Sequence, residues 1–155
     1  LESIGCRGLS LSWFRSFLSD RKQFVTVCGV DSGERAIDYG VIQGSTLGPI
    51  LFLVYINNVV KLNISGQCFL LADDTVVLCR GKNWDDVYNN ALHDLSVLKK
   101  WFDQNILSLN VSKTKFMPIS LTQRSDPHFN SLTLHTCGSC INTTCKCEQI
   151  EKVEK

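Results

Sequence analysis

Residues Cys68 to Cys79 constrain this chain more than any other stretch. Two adjacent carboxylates, Asp73 and Asp74, sit between the apolar runs Cys68-Phe69-Leu70-Leu71 and Thr75-Val76-Val77-Leu78. Each run is apolar or β-branched at nearly every position, as buried strands are. Ala72-Asp73-Asp74 is small and polar, so it is expected to form the tight turn of a hairpin. Two acidic side chains at the tip of a rigid hairpin repel one another and resist desolvation. A divalent cation removes that cost, and Mg²⁺ takes one or two carboxylates and completes its shell with water and phosphate oxygens. The alternative is an ordinary solvated Asp-Asp turn, and this stretch alone does not separate the two.

Upstream lies Gly40-Val41-Ile42-Gln43-Gly44-Ser45-Thr46-Leu47-Gly48-Pro49-Ile50-Leu51-Phe52. Gly44 permits close approach of the backbone to a ligand, and Gln43 and Ser45 bring short-range donors and acceptors. Pro49 suits the first turn of a helix, expected to run to about Val60, and its all-round apolar character predicts burial. Downstream, Asn83 is placed to cap a helix with Asp85 and Asp86 in its first turn. Apolar residues at 84, 87, 88, 91, 92, 95, 98 and 102 form one stripe along that helix, so it packs on a core. Leu107-Ser108-Leu109 and Phe116 to Ile119 are expected as short strands around Asn110 to Lys115.

Nearer the start, Trp13, Phe14, Phe17 and Leu18 mark a helical face behind a Ser12 cap. Residues 23–29 and 35–39 are expected to pair across a turn at Asp31-Ser32-Gly33. Arg21-Lys22 is either a solvated turn or a phosphate contact. Cys6, Cys28, Cys68 and Cys79 stand among apolar neighbours, as buried thiols in a reducing compartment do.

In this order the Gln-Gly-Ser, Ala-Asp-Asp and Leu-x-Leu-Asn-x-x-Lys-x-Lys blocks resemble the reverse transcriptases of non-LTR, jockey-like retrotransposons. The resemblance covers roughly residues 1–120. It implies an α+β fold: part of a polymerase palm, an antiparallel sheet with helices packed on one face. It implies RNA-directed DNA polymerase activity, with Asp73 as a metal ligand and Asp74 in support. Gln43, Gly44, Ser45, Leu71, Ala72 and Lys115 fall in its nucleotide and template blocks. Lys113 is its match for the lysine near the leaving phosphates. The implied cofactor is Mg²⁺, with Mn²⁺ as substitute, and the implied partners are an RNA template, a DNA primer and dNTPs. Ile42, Asn58 and Leu71 stand where the family carries proline, aspartate and an aromatic residue.

The chain opens without Met and closes on a charged run, so truncation at both ends is expected. The family's first-motif Asp is expected before Leu1, which would leave these residues inactive alone.

At 155 residues the chain is of single-domain size, and its 44% apolar content excludes a disordered polymer. Net charge is only +1, so nucleic-acid binding has to rest on local patches such as Arg21-Lys22 and Lys99-Lys100. The longest apolar run, Ile50 to Ile56, is too short to span a bilayer, and no secretory leader is expected. Location in the cytoplasm and nucleus, without membrane association, follows as an expectation. Residues 121–155 are expected to form a separate, irregular and polar tail. There Cys137, Cys140, Cys145 and Cys147 offer four thiols for zinc, but the x₂, x₄, x₁ spacing fits the usual chelating turns poorly. A zinc module in the tail and a non-catalytic nucleic-acid-binding remnant are therefore the alternatives to a polymerase fragment.

Overall fold

The computed structural model describes residues 1–120, 127–134 and 147–153. The chain divides into two compact units, Leu1–Asn57 and Asn58–Lys155.

The first unit holds α1 (Gly8–Leu18), β1 (Arg21–Gln23), β2 (Thr26–Val27), β3 (Val30–Asp31), β4 (Arg35–Ile37) and α2 (Gly48–Ile56). Helix α1 starts at Gly8 with Arg7 in the cap position, five residues before the expected Ser12 cap. Trp13 stacks on Phe17 one turn on, with ring centroids 5.3 Å apart. Asp20, with φ +53°, turns the chain out of the helix. Strand β1 pairs antiparallel with β4, from Arg21 opposite Ile37 to Gln23 opposite Arg35. The hairpin turn lies at Cys28-Gly29, not at Asp31-Ser32-Gly33. Both residues have positive φ, 53° and 78°, as a type I′ turn requires, and β2 and β3 flank them in register. That turn leaves Cys28 exposed rather than buried.

In α2, Gly48, Leu51 and Ile56 are buried. Ile50, Leu53 and Tyr55 are exposed, so the helix is not buried all round.

The second unit holds β5 (Gln67–Leu71), β6 (Asp74–Leu78), α3 (Trp84–Gln104), β7 (Lys115–Phe116), β8 (Ser131–Leu134) and β9 (Glu148–Lys152). The Asn83 side chain accepts the Asp86 N–H at 2.8 Å, the expected cap. Every position of the expected α3 stripe is at least partly buried, Leu98 and Phe102 most of all. The helix ends in a Schellman arrangement: Leu107 N–H donates to Phe102 O and Ile106 N–H to Asp103 O. Ile106 takes the left-handed position, φ +54°.

Leu98, Phe102, Leu132, Leu134 and Ile150 are buried, and α3 packs on β8. Strand β9 lies between β7, to which it is parallel, and β8, to which it is antiparallel. Phe129 links the layers, 4.8 Å from Tyr88 and 5.6 Å from Phe116 between ring centroids. The expected strand at Leu107–Leu109 is absent. Phe116 keeps only two residues of ladder because Asn110 folds residues 110–114 into a local turn.

The class is α+β, with the remaining strands in small antiparallel sheets. Among the described residues no helix is long and apolar enough to cross a membrane.

Candidate active site

Strands β5 and β6 form the expected hairpin. Five antiparallel pairs run from Gln67 opposite Leu78 to Leu71 opposite Asp74. The two-residue connection is Ala72-Asp73. Ala72 has a positive φ, +54°, and Asp73 does not, so the first turn position holds a backbone conformation that glycine adopts most readily. An L-residue there costs roughly 1–2 kcal/mol, so the tip is held under strain by the ladder behind it.

The faces of the hairpin differ. Cys68, Leu70, Thr75 and Val77 are half-buried; Phe69, Leu71, Asp74, Val76 and Leu78 are exposed. The expectation of buried strands is therefore corrected: one face is exposed and the other half-buried. Leu71 is 77% exposed, directly opposite Asp74. Asp73 and Asp74 are both exposed, and no described side chain bonds to either. Two adjacent carboxylates without internal partners are a fitting oxygen donor set for a hard divalent cation. Among the described residues no third acidic, His or Cys group gathers with them.

Asn110 builds the lysine loop. Its Oδ1 accepts Ser112 Oγ at 2.7 Å and the Lys113 N–H at 3.2 Å, and its carbonyl accepts Thr114 Oγ1 at 2.8 Å. This local bonding outcompetes strand formation. Lys113 is exposed at the crest, and no described acceptor holds its ammonium. Lys115 instead pairs with Glu151 at 2.8 Å, across the β7–β9 register. That contact holds the Glu151 carboxyl below its ordinary range.

In the first unit, Ile42 to Ser45 form a type II turn. Ser45 N–H donates to Ile42 O at 3.2 Å, and Gly44 sits third with φ +79°. A Cβ at Gly44 would meet nothing within 4 Å, so the dihedral, not crowding within the chain, calls for glycine here. Ser45 Oγ accepts the Gly48 N–H at 3.0 Å and so helps start α2. Gln43 is exposed at the turn. Arg21 is not a free cation: Nη2 donates to Gly40 O at 2.7 Å and Nε to Leu18 O at 3.1 Å. Lys22 pairs with Glu34 at 2.9 Å.

One residue escaped the sequence reading. Asp94, on α3, is 1% exposed. It accepts the Ser65 N–H at 2.8 Å, the Gly66 N–H at 2.7 Å and the Ser65 hydroxyl at 3.0 Å. The Cys79 thiol lies 3.7 Å from it and His93 Nδ1 lies 3.2 Å away. Burial pushes its pKa up, but the Ser65 N–H, His93 and Gly66 N–H outweigh burial and hold it below the ordinary value. Cys79 is pushed up to about 11, by burial first and then by the Asp94 charge and hydrogen bond. The signal was in the sequence: position 94 falls on the apolar stripe, between 91 and 98.

Comparison with known proteins decides the family. The reverse transcriptase (RNA-dependent DNA polymerase) family matches residues 1–146. The chain belongs to the reverse transcriptases. It is 27% identical over 117 residues to the probable RNA-directed DNA polymerase from transposon X-element of Drosophila melanogaster, covering 73% of this chain and 13% of that protein. It is 29% identical over 106 residues to the RNA-directed DNA polymerase from mobile element jockey of the same organism, covering 64% of this chain and 12% of that protein. This reverse transcriptase chain thus spans about an eighth of the length of those relatives. No solved structure matches it at a significant level. Of the proposed zinc thiols, Cys137, Cys140 and Cys145 lie outside the described residues, and Cys147 directly precedes β9.

Proposed function

We propose that the Asp73–Asp74 turn is the metal-binding part of a template-directed nucleotidyl-transfer centre. The observation that carries this is the pair of adjacent, exposed carboxylates at the hairpin tip, with no partner among the described residues to neutralise them. In a reverse transcriptase, two Mg²⁺ ions, or Mn²⁺ in their place, would activate the primer hydroxyl and steady the triphosphate during in-line displacement. Asp73 is the ligand that reaches past the last ladder pair, and Asp74 supports it from the end of β6. Ala72 and the exposed Leu71 form the surface beside them for the primer end and the nucleotide. Lys113 carries an ammonium, without an acceptor among the described residues, to the crest of a built turn. It is suited to stabilising charge on departing pyrophosphate. Lys115 ranks second because Glu151 already occupies it. Gln43, Gly44 and Ser45 present a rigid type II turn to template and incoming nucleotide. The partners on this reading are an RNA template, a DNA primer and dNTPs, inside the cell.

Among the described residues two carboxylates come to the turn and no third. By themselves residues 1–155 would not extend a primer. The test is Mn²⁺ titration of labelled protein, with paramagnetic broadening of backbone amides as the readout. Broadening centred on residues 72–75, lost in Asp73→Asn, is expected. Broadening elsewhere, or none, refutes the assignment. In a parallel primer-extension assay with Mg²⁺ and dNTPs, product from residues 1–155 would refute the claim of incompetence.

A further inference from the structure

The hairpin that carries Asp73 and Asp74 has no third strand among the described residues. A two-stranded hairpin is marginal on its own, and the outward face of this one is exposed. The attachment of its open end therefore bears directly on its direction. Both attachment points meet on one side chain. Ser65 and Gly66 lead directly into β5 and bond to Asp94 through two backbone N–H groups and a hydroxyl. Cys79, which directly follows β6, places its thiol on the same Asp94 Oδ2 that Gly66 uses. The first ladder pair, Gln67 opposite Leu78, lies between these two contacts and the strands.

We infer that Asp94 is a positioning residue for the Asp73–Asp74 pair: one buried carboxylate on α3 clamps both legs of the hairpin and so aims its tip. This rests on the assignment of the turn as a metal site. The lever is long. Five residues at ~3.3 Å each put the tip ~17 Å from the clamp, so ten degrees of tilt at the base moves the carboxylates by roughly 3 Å. Misplacement by ~1 Å is enough to cost about a hundredfold in a positioned reaction. Asp94 makes no contact with Asp73 or Asp74 and acts only through the hairpin. The clamp is also specific to a carboxylate. Every group that points at it can donate a hydrogen bond, so an amide in its place would turn N–H against N–H.

Two readouts on the same proteins test this. Residual dipolar couplings give the direction of β5–β6 relative to α3, with no metal present. Mn²⁺ broadening of α3 amides gives the position of the ion bound at the turn relative to α3. In Asp94→Asn, the hairpin couplings are expected to stop fitting the alignment of α3, and Mn²⁺ bound at the turn is expected to broaden a shifted set of α3 amides. Ser65→Ala keeps both backbone donors and should shift both readouts the same way by less; Ser65→Thr restores the hydroxyl and should recover them. Ser65→Ala also decides the matter if Asp94→Asn does not fold. Unchanged couplings in the variants would overturn the clamp. Altered couplings with an unchanged pattern of Mn²⁺ broadening along α3 would reduce Asp94 to a structural residue and overturn its positioning role. Wild type without Mn²⁺ binding at the turn would overturn the metal assignment and the positioning role with it, while the couplings still report on the clamp.

Discussion

Gly66→Ala is the sharpest test of how closely the hairpin base sits on α3. Gly66 does not have a left-handed φ, so alanine is conformationally allowed there. The space is what forbids it. An added Cβ would lie 2.9 Å from Asp94 Oδ2, 2.9 Å from Val77 Cγ1 and 3.1 Å from the Leu78 carbonyl oxygen. Two of these neighbours are fixed, one by the ladder and one by four donors. Relief thus requires the clamp to open rather than a side chain to swing. Overpacking of this kind costs about 1–3 kcal/mol, and lower unfolded-chain entropy returns about 0.4–1 kcal/mol. A net loss of about 1.5 kcal/mol corresponds to a fall in Tm of roughly 3–6 °C for a chain of this size. Urea unfolding followed by circular dichroism would measure it as a shift in midpoint at constant slope. Gly33→Ala is the control, since a Cβ there meets nothing within 4 Å; it should be neutral or slightly stabilising. Equal stability of Gly66→Ala and wild type would refute the close approach.

Ile106→Gly removes an isoleucine held at φ +54° in the α3 terminus and should raise stability by about 0.5–1 kcal/mol in the same urea assay. Asn83→Ala removes the α3 cap and should cost about 1 kcal/mol. Asp94 has a folded pKa below its ordinary 3.8. Its contribution is therefore complete above that value and lost as pH falls through the depressed one. Acid titration of stability should show a shallower loss below about pH 4 in Asp94→Asn. The Cys79 thiol, pushed up to about 11, should resist iodoacetamide at pH 8 while exposed Cys28 reacts; peptide mapping that finds Cys79 alkylated first would contradict the burial.

What the sequence revealed depended on how many physical signals agreed. Helix α3 was legible to its cap because its periodicity, Asn83 and the acidic first turn all point the same way. The Cys68–Cys79 hairpin was legible because a short polar break between two strand-like runs leaves few alternatives. Its exposed face was not, because Phe69, Leu71, Val76 and Leu78 are as apolar as the residues on the other side. The early strands misled because Cys28 adopts a left-handed turn conformation that its side chain does not advertise. Asp94 was hidden by its own placement: a carboxylate inside an apolar stripe is noticed only when the loop it bonds is known. Lys113 and Lys115 are two residues apart and chemically alike; only the partner strand, far along the chain, tells them apart.

The two-residue connection at Ala72-Asp73 has a consequence for how this region tolerates insertion and deletion. In most hairpins a slip of register is resisted because it would turn apolar side chains outward. Here both faces are apolar, so alternation enforces nothing, and the turn length alone sets which residue ends each strand. A single added or lost codon between Leu71 and Thr75 would leave a hairpin of similar composition and similar burial. It would nonetheless rotate the acidic residues to the opposite side of the ribbon. Chemistry would be lost at the tip with little trace in folding, so the length of this segment is a better guide to a working copy than its hydrophobicity.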